Sequence, residues 1–201
     1  MYLNNVISTS EDPEVHFKFI ESCIKNGNLN EVQKVIRTSN VYDPERVKAF
    51  LKTLKLTNPM PMIYLCDKHK FFADLAEYLF KNNFQTFLEN YIKQNTTATP
   101  IMISTVLGLS PDESTLRVLT NKLPVCDIGE LVKAYETHNK IKLLTGWLET
   151  RKEEGNVTPA VHTALAKIYI DSGNIAVSKD FLMNNQHYDC KEVGHYCEEK
   201  D

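Results

Sequence analysis

Glycine is scarce in this chain of 201 residues: there are seven, about half the usual share of roughly 7%. The chain has no phosphate-cradling GxxxxGK[ST] loop, no GxGxxG, no GxSxG and no HExxH, so the common signatures of nucleotide binding, serine hydrolysis and zinc proteolysis are missing. Basic blocks are missing too. Lys and Arg number 23 against 26 Asp and Glu, the net charge is −3, and the cations are scattered, which argues against neutralising a phosphate backbone. No apolar run approaches the roughly 20 residues of a spanning helix, so no direct membrane insertion is expected. The opening "MYLNNVISTSEDPE" lacks the basic and apolar regions of a signal peptide. The five cysteines (23, 66, 126, 190 and 197) form no CxxC pair, which suits a reducing compartment. In that setting the sequons at Asn95 and Asn156 read as chance.

Proline, by contrast, is selectively placed. Six of the eight prolines follow a residue of helix-capping type, in Asp12-Pro13, Asp43-Pro44, Asn58-Pro59, Thr99-Pro100, Ser110-Pro111 and Thr158-Pro159. An N-cap followed by proline at the first helical position has this form, because the missing N–H has no intrahelical partner there anyway. Between these starts the apolar residues recur at helical spacing: Phe72, Leu75, Ala76 and Leu79; Phe84, Phe87, Leu88 and Tyr91; Ile128, Leu131, Val132 and Tyr135. The pattern predicts helix pairs at about 13–26 and 29–40, 43–55 and 59–68, 71–81 and 84–94, 100–108 and 111–122, 127–138 and 140–153, 158–171 and 175–185, with another helix from about 189. "MPMIYLC" and "PIMISTVL" have strand-like composition but no partner strand or hairpin turn, and are read as helices.

The chain also resembles itself. At an offset of 146, without gaps, "DPEVHFKFIESCIKNGNLNEVQKVIRTSNVYD" falls on "TPAVHTALAKIYIDSGNIAVSKDFLMNNQHYD". Pro13 meets Pro159, His16 meets His162, Gly27 and Asn28 meet Gly173 and Asn174, and Tyr42 and Asp43 meet Tyr188 and Asp189. The same parts recur in order: cap, helix, Gly-Asn joint, helix, Tyr-Asp cap, helix. The expected fold is all-α, an α-solenoid of stacked antiparallel helical hairpins. The expected organisation is a polar leader at 1–11, one full repeat at 12–157, and the start of the next at 158–201.

"DPEVHFKFIESCIK", "YDPERVKAFLK", "KIKLLTGWLETR", "HTALAKIYIDSGN" and "YDCKEVGHYCEEKD" resemble the clathrin heavy-chain repeat family, over roughly 12–201 and least across about 95–123. The resemblance implies a helical-hairpin module of the distal heavy-chain leg. It also implies a structural role in the coat of endocytic and Golgi-derived vesicles, at the cytoplasmic face of coated pits and vesicles. The implied partners are neighbouring heavy-chain legs in the lattice, with light chain and adaptors held by other parts of the parent protein. A vacuolar-sorting or tethering subunit with the same repeat is the alternative; a trimerisation region in flanking sequence would favour the first and a C-terminal RING the second.

A reading from another class is a small zinc enzyme, since His187, Cys190, His195 and Cys197 put four ligand types in eleven residues. Helical period argues against it: Cys190, Gly194 and Cys197 share one face, expected to be packed, and His195 points elsewhere. His16 and His162 lack a nucleophile or carboxylate partner common to both segments, and are expected to pack or to hydrogen-bond the backbone. Trp147 is expected in a core face with Leu143, Leu144 and Leu148. No cofactor, metal or catalytic residue is expected.

Overall fold

Asp12 and Asp43 show how the sequence starts a helix. Each carboxylate accepts from a backbone N–H two residues on, at 2.9 and 3.0 Å, with proline occupying the first helical position. The computed structural model describes residues 10–199, so residues 1–9 of the expected leader lie outside the described residues. Among the described residues there is no strand, and thirteen α-helices follow one another. They are α1 Pro13–Lys25, α2 Leu29–Thr38, α3 Pro44–Thr53, α4 Met60–His69, α5 Phe72–Lys81, α6 Gln85–Gln94, α7 Thr99–Gly108, α8 Glu113–Asn121, α9 Ile128–Thr137, α10 Thr145–Glu153, α11 Pro159–Asp171, α12 Ile175–Asn184 and α13 Cys190–Glu198. "MPMIYLC" and "PIMISTVL" are helical, within α4 and α7.

The chain forms two compact units, Met1–Leu88 and Glu89–Asp201, with the division inside α6. In the first, α1 packs on α2, α2 on α4, α3 on α4 and α4 on α5. Each helix touches its sequence neighbour or the next but one, as in stacked hairpins. Ile20, Ile36, Leu51, Leu65 and Leu79 are fully buried in the seams. In the second unit α7 packs on α9, α9 on α11, α10 on α11, α11 on α12 and α11 on α13. Here the seams bury Met102, Leu131, Tyr135, Leu148 and Leu165.

Tight joints between helices need a residue in the left-handed region, which closes the preceding helix with backbone hydrogen bonds. Gly27, Gly155 and Gly173 supply it at φ 73°, 83° and 70°. Lys70, Asn83, Ser110 and Asn139 supply it at φ 54–61°, where a side chain is less welcome. Because residues other than glycine fill four of these seven turns, the low glycine count does not preclude so many joints.

Three local expectations need correction. Ser110 and Thr99 are not N-caps. Ser110 takes the left-handed turn, and Asp112 caps α8 by accepting from the Thr115 N–H at 2.9 Å. The Thr99 hydroxyl donates backwards to the carbonyls of Ile92 and Asn95, closing α6 rather than opening α7. The expected helix 140–153 is split into a 3-10 turn, Ile141–Leu144, followed by α10. Residues i and i+3 eclipse in a 3-10 turn, and here that brings both Ile141 and Leu144 into the core.

Candidate functional site

The two self-similar segments place their joints at α1–α3 in one unit and α11–α13 in the other. In the first, His16 lies in the opening turns of α1 and is 2% exposed. Its Nε2 is 2.9 Å from the Ser10 carbonyl oxygen and its Nδ1 is 3.0 Å from Ser39 Oγ. The Ser39 hydroxyl oxygen also accepts from the Val41 N–H at 3.1 Å. In the second, His162 is 4% exposed. Its Nε2 is 2.7 Å from the Asn156 carbonyl oxygen and its Nδ1 is 2.8 Å from Asn185 Nδ2. Asn185 Oδ1 accepts from the His187 N–H at 2.9 Å. Every partner stands at the 146-residue offset from its counterpart. A carbonyl oxygen only accepts, so Nε2 carries a proton in both segments, and each histidine is a bracket tying the start of one helix to the end of the next.

The tyrosines match in the same way. The Tyr42 hydroxyl donates to the Ile36 carbonyl at 2.9 Å, and the Tyr188 hydroxyl to that of Leu182 at 3.3 Å. Burial pushes the Tyr42 phenol up to about 12, so it stays a donor at any ordinary pH. Asp43 accepts from the N–H groups of Glu45 and Arg46, and Asp189 from those of Lys191 and Glu192. Gly27 and Gly173 take the left-handed turn that ends α1 and α11. Asn174 caps α12 by accepting from the Val177 N–H at 3.3 Å, whereas Asn28 makes no such side-chain bond to α2. Pro13 and Pro159 open α1 and α11, although Thr158 makes no capping bond because its hydroxyl turns to Asn156 instead.

Several groups at these joints escaped the sequence reading. Lys68 Nζ donates to the carbonyl of Ile36 at 3.0 Å and also to that of Ser39, closing the C-terminal end of α2. His69 Nε2 meets the Tyr42 hydroxyl at 3.0 Å, and burial together with the Lys68 charge lowers its proton affinity. Side-chain donors to distant carbonyls have no motif, so nothing in the sequence marked them. Lys48 and Lys52 both bind Asp74, at 2.9 and 2.6 Å, tying α3 to α5. Lys167, 8% exposed, bridges Glu136 and Glu192 at 2.7 and 2.6 Å, tying α9, α11 and α13.

The zinc-like quartet is dispersed. The His187 ring lies against His162, centroids 5.1 Å apart, while His195 faces Glu198 and Glu199. The expectation that Cys190 and Cys197 pack is corrected. Cys190 is exposed and Cys197 half-exposed, because α13 packs on α11 through Val193 instead. Trp147 is half-buried beside Arg151 with its indole N–H donated to the Leu123 carbonyl at 3.3 Å, and Leu144 and Leu148 take the core positions. Burial pushes the Cys66 thiol up to about 12 and that of Cys126 up to about 11, so neither is a nucleophile at neutral pH. A groove of about 780 Å³ opens beside α7 and α9, lined by Thr97, Ile101, Ser104, Cys126, Glu130 and Lys133. Among the described residues no group of three or more His, Cys, Asp or Glu is placed to hold a metal, and no helix is long and apolar enough to cross a membrane.

Helix pairs that touch only near neighbours, with recurring hydrogen-bonded joints, define a helical-hairpin repeat protein. A family profile described as "Region in Clathrin and VPS" matches residues 1–100 and 119–201, and the chain belongs to that family of clathrin heavy-chain repeats. It is 45% identical over 203 residues to a protein of Dictyostelium discoideum named clathrin heavy chain. It is 43% identical over 205 residues to the clathrin heavy chain of Drosophila melanogaster, and 42% identical over 202 to human clathrin heavy chain 2. Each match covers the whole of this chain and 12% of the relative, so the chain spans about an eighth of the length of these proteins.

Proposed function

We propose that this chain serves as a structural segment of the distal leg of a clathrin-type heavy chain, in coats that carry out vesicle-mediated intracellular protein transport and endocytosis. The observation that carries the reading is the extent of the similarity: proteins named clathrin heavy chain match over the entire chain at 38–45% identity, without a stretch left over for another kind of domain. Residues 12–157 act as one repeat and 158–201 as the beginning of the next. Pro13, His16, Gly27, Asn28, Tyr42 and Asp43, with Pro159, His162, Gly173, Asn174, Tyr188 and Asp189, are the recurring joint positions. They act by holding helices in place rather than by binding a ligand or performing catalysis. The segment's partners are neighbouring heavy-chain legs. Light chain and adaptors attach to other parts of the parent protein, and the site of action is the cytoplasmic face of coated pits and vesicles.

Excising residues 13–158 from a full-length heavy chain carrying this segment tests the reading, because it joins Asp12 to Pro159 and keeps the order cap, proline, helix. Trimers should still form through the distant hub, while coats assembled in vitro should be smaller or fail to close in electron micrographs. Coats of unchanged diameter and yield would overturn the proposal.

A further inference from the structure

The two histidine brackets differ in one chemical respect. At the first joint the atom facing His16 Nδ1 is the Ser39 hydroxyl, and at the second the atom facing His162 Nδ1 is the Asn185 amide nitrogen. We propose that the α12–α13 joint is a pH-sensitive latch, closed when His162 is neutral and opened by its protonation, and that the α2–α3 joint is built to be insensitive to the same change.

The argument rests on counting donors and acceptors. A protonated imidazole donates from both nitrogens. At the first joint Ser39 Oγ already accepts from the Val41 N–H. It has a second lone pair, so rotating the hydroxyl lets it accept from Nδ1 as well, and no bond to the backbone is lost. At the second joint the Asn185 amide has one donor end and one acceptor end, and both are fixed. Its Nδ2 faces His162 Nδ1, and its Oδ1 accepts from the His187 N–H. Protonation sets N–H against N–H. Flipping the amide moves the conflict to the His187 N–H without removing it. Neither orientation of the amide keeps both of its bonds, so protonation costs the second joint a hydrogen bond that the first joint keeps, which favours the open state.

The surroundings reinforce the difference. The His187 ring is 5.1 Å from that of His162, so a second proton would place like charges side by side. The residue at the corresponding place in the first joint is Val41, which carries no charge. The charged groups lining the same small cavity are Lys152 on α10 and Asp180 on α12, one of each sign. Histidines exchange protons in the range of about pH 5 to 8. Because protonation costs the second joint a hydrogen bond, its closed state should be favoured at higher pH and disfavoured as the pH falls. Residues 185–189 connect successive hairpins, so opening there changes how one hairpin is held on the next.

The test uses the intact chain and amide hydrogen exchange, expressed as protection relative to the intrinsic rate at each pH. Between pH 7.5 and 5.5, protection at residues 187–193 should fall by about tenfold or more relative to residues 41–47, the size expected when one buried donor loses its acceptor. Asn185→Ser should abolish that difference, because it copies the first joint. Ser39→Asn should make the first joint sensitive in turn. Equal changes at both joints, or a second joint that stays sensitive in Asn185→Ser, would overturn the proposal.

Discussion

Helices α2 and α12 occupy corresponding places in the two self-similar segments, yet they differ sharply in burial. Helix α2 buries Val32, Val35 and Ile36 between α1 and α4. Within these 201 residues helix α12 packs on α11 and buries nothing, with Ile175 78% exposed and Met183 73%; the positions corresponding to α4, which covers α2, fall beyond residue 201. The histidine and tyrosine hydrogen bonds of the joints, however, run between corresponding positions in both. The comparison separates two sources of order. Caps, brackets and left-handed turns are local and need only the hairpin itself, whereas hydrophobic burial comes from the neighbouring hairpin. In the 201-residue segment by itself, stability should therefore be unequal at corresponding positions.

The largest test sets a core residue against its counterpart. Ile36 is fully buried, and Ile36→Ala should cost about 2–5 kcal/mol in denaturant unfolding. Leu182, at the same offset but half-exposed, should lose at most about 1 kcal/mol on Leu182→Ala. Equal losses would break the comparison.

The tyrosines give a smaller contrast. Tyr42→Phe removes the hydroxyl shared by the Ile36 carbonyl and His69, and should cost about 1–3 kcal/mol because the carbonyl and imidazole it served are partly buried. Tyr188→Phe gives up a longer, half-exposed bond and should stay within about 0.5 kcal/mol.

The glycines should respond alike. A Cβ at Gly27 or Gly173 would meet no atom within 4 Å, so only the left-handed backbone opposes it. Valine at either place should cost about 1–2 kcal/mol with helix content nearly unchanged by circular dichroism.

The smallest effect concerns charge. The positions corresponding to Lys48 and Lys52 are Gly194 and Glu198, so the tie to Asp74 belongs to the first segment alone. Burial by itself would raise the Asp74 carboxyl, but hydrogen bonds from Lys52 and Lys48 outweigh it and hold it below its usual range. A lowered carboxylate contributes stability above its ordinary value of 3.8 and loses it as the pH falls through the depressed one. Asp74→Asn should therefore cost about 1 kcal/mol at neutral pH, after solvent screening, and the difference from the parent should close in strong acid.

How much of this was legible in the sequence follows the same division. Local features were readable. Asp-Pro starts, helical spacing and Gly-Asn joints placed nearly every helix within a few residues of its observed ends. Ser110 misled because a serine before proline has the look of a cap, while its backbone was needed for the turn. The 3-10 turn at Ile141–Leu144 was hidden because its apolar pair also fits an α-helical face. At the joints, His16 and His162 stood out by identity. Their partners did not, since Ser39 and Asn185 are different residue types and lie 23 positions away along the chain. Lys68 and His69 gave no signal at all, because they reach the first joint from another hairpin. Cys190 and Cys197 showed the limit of periodicity: it grouped them on one face but could not say which face of α13 meets α11.

The joints are proposed to set the geometry of a heavy-chain segment. Assembly in vitro of a full-length heavy chain carrying Gly173→Val, with coats sized by electron microscopy, tests it most directly. The strained turn should redirect the helices beyond it, giving intact trimers that close into coats poorly or with altered diameter. Coats of normal diameter and yield from that variant would contradict the claim.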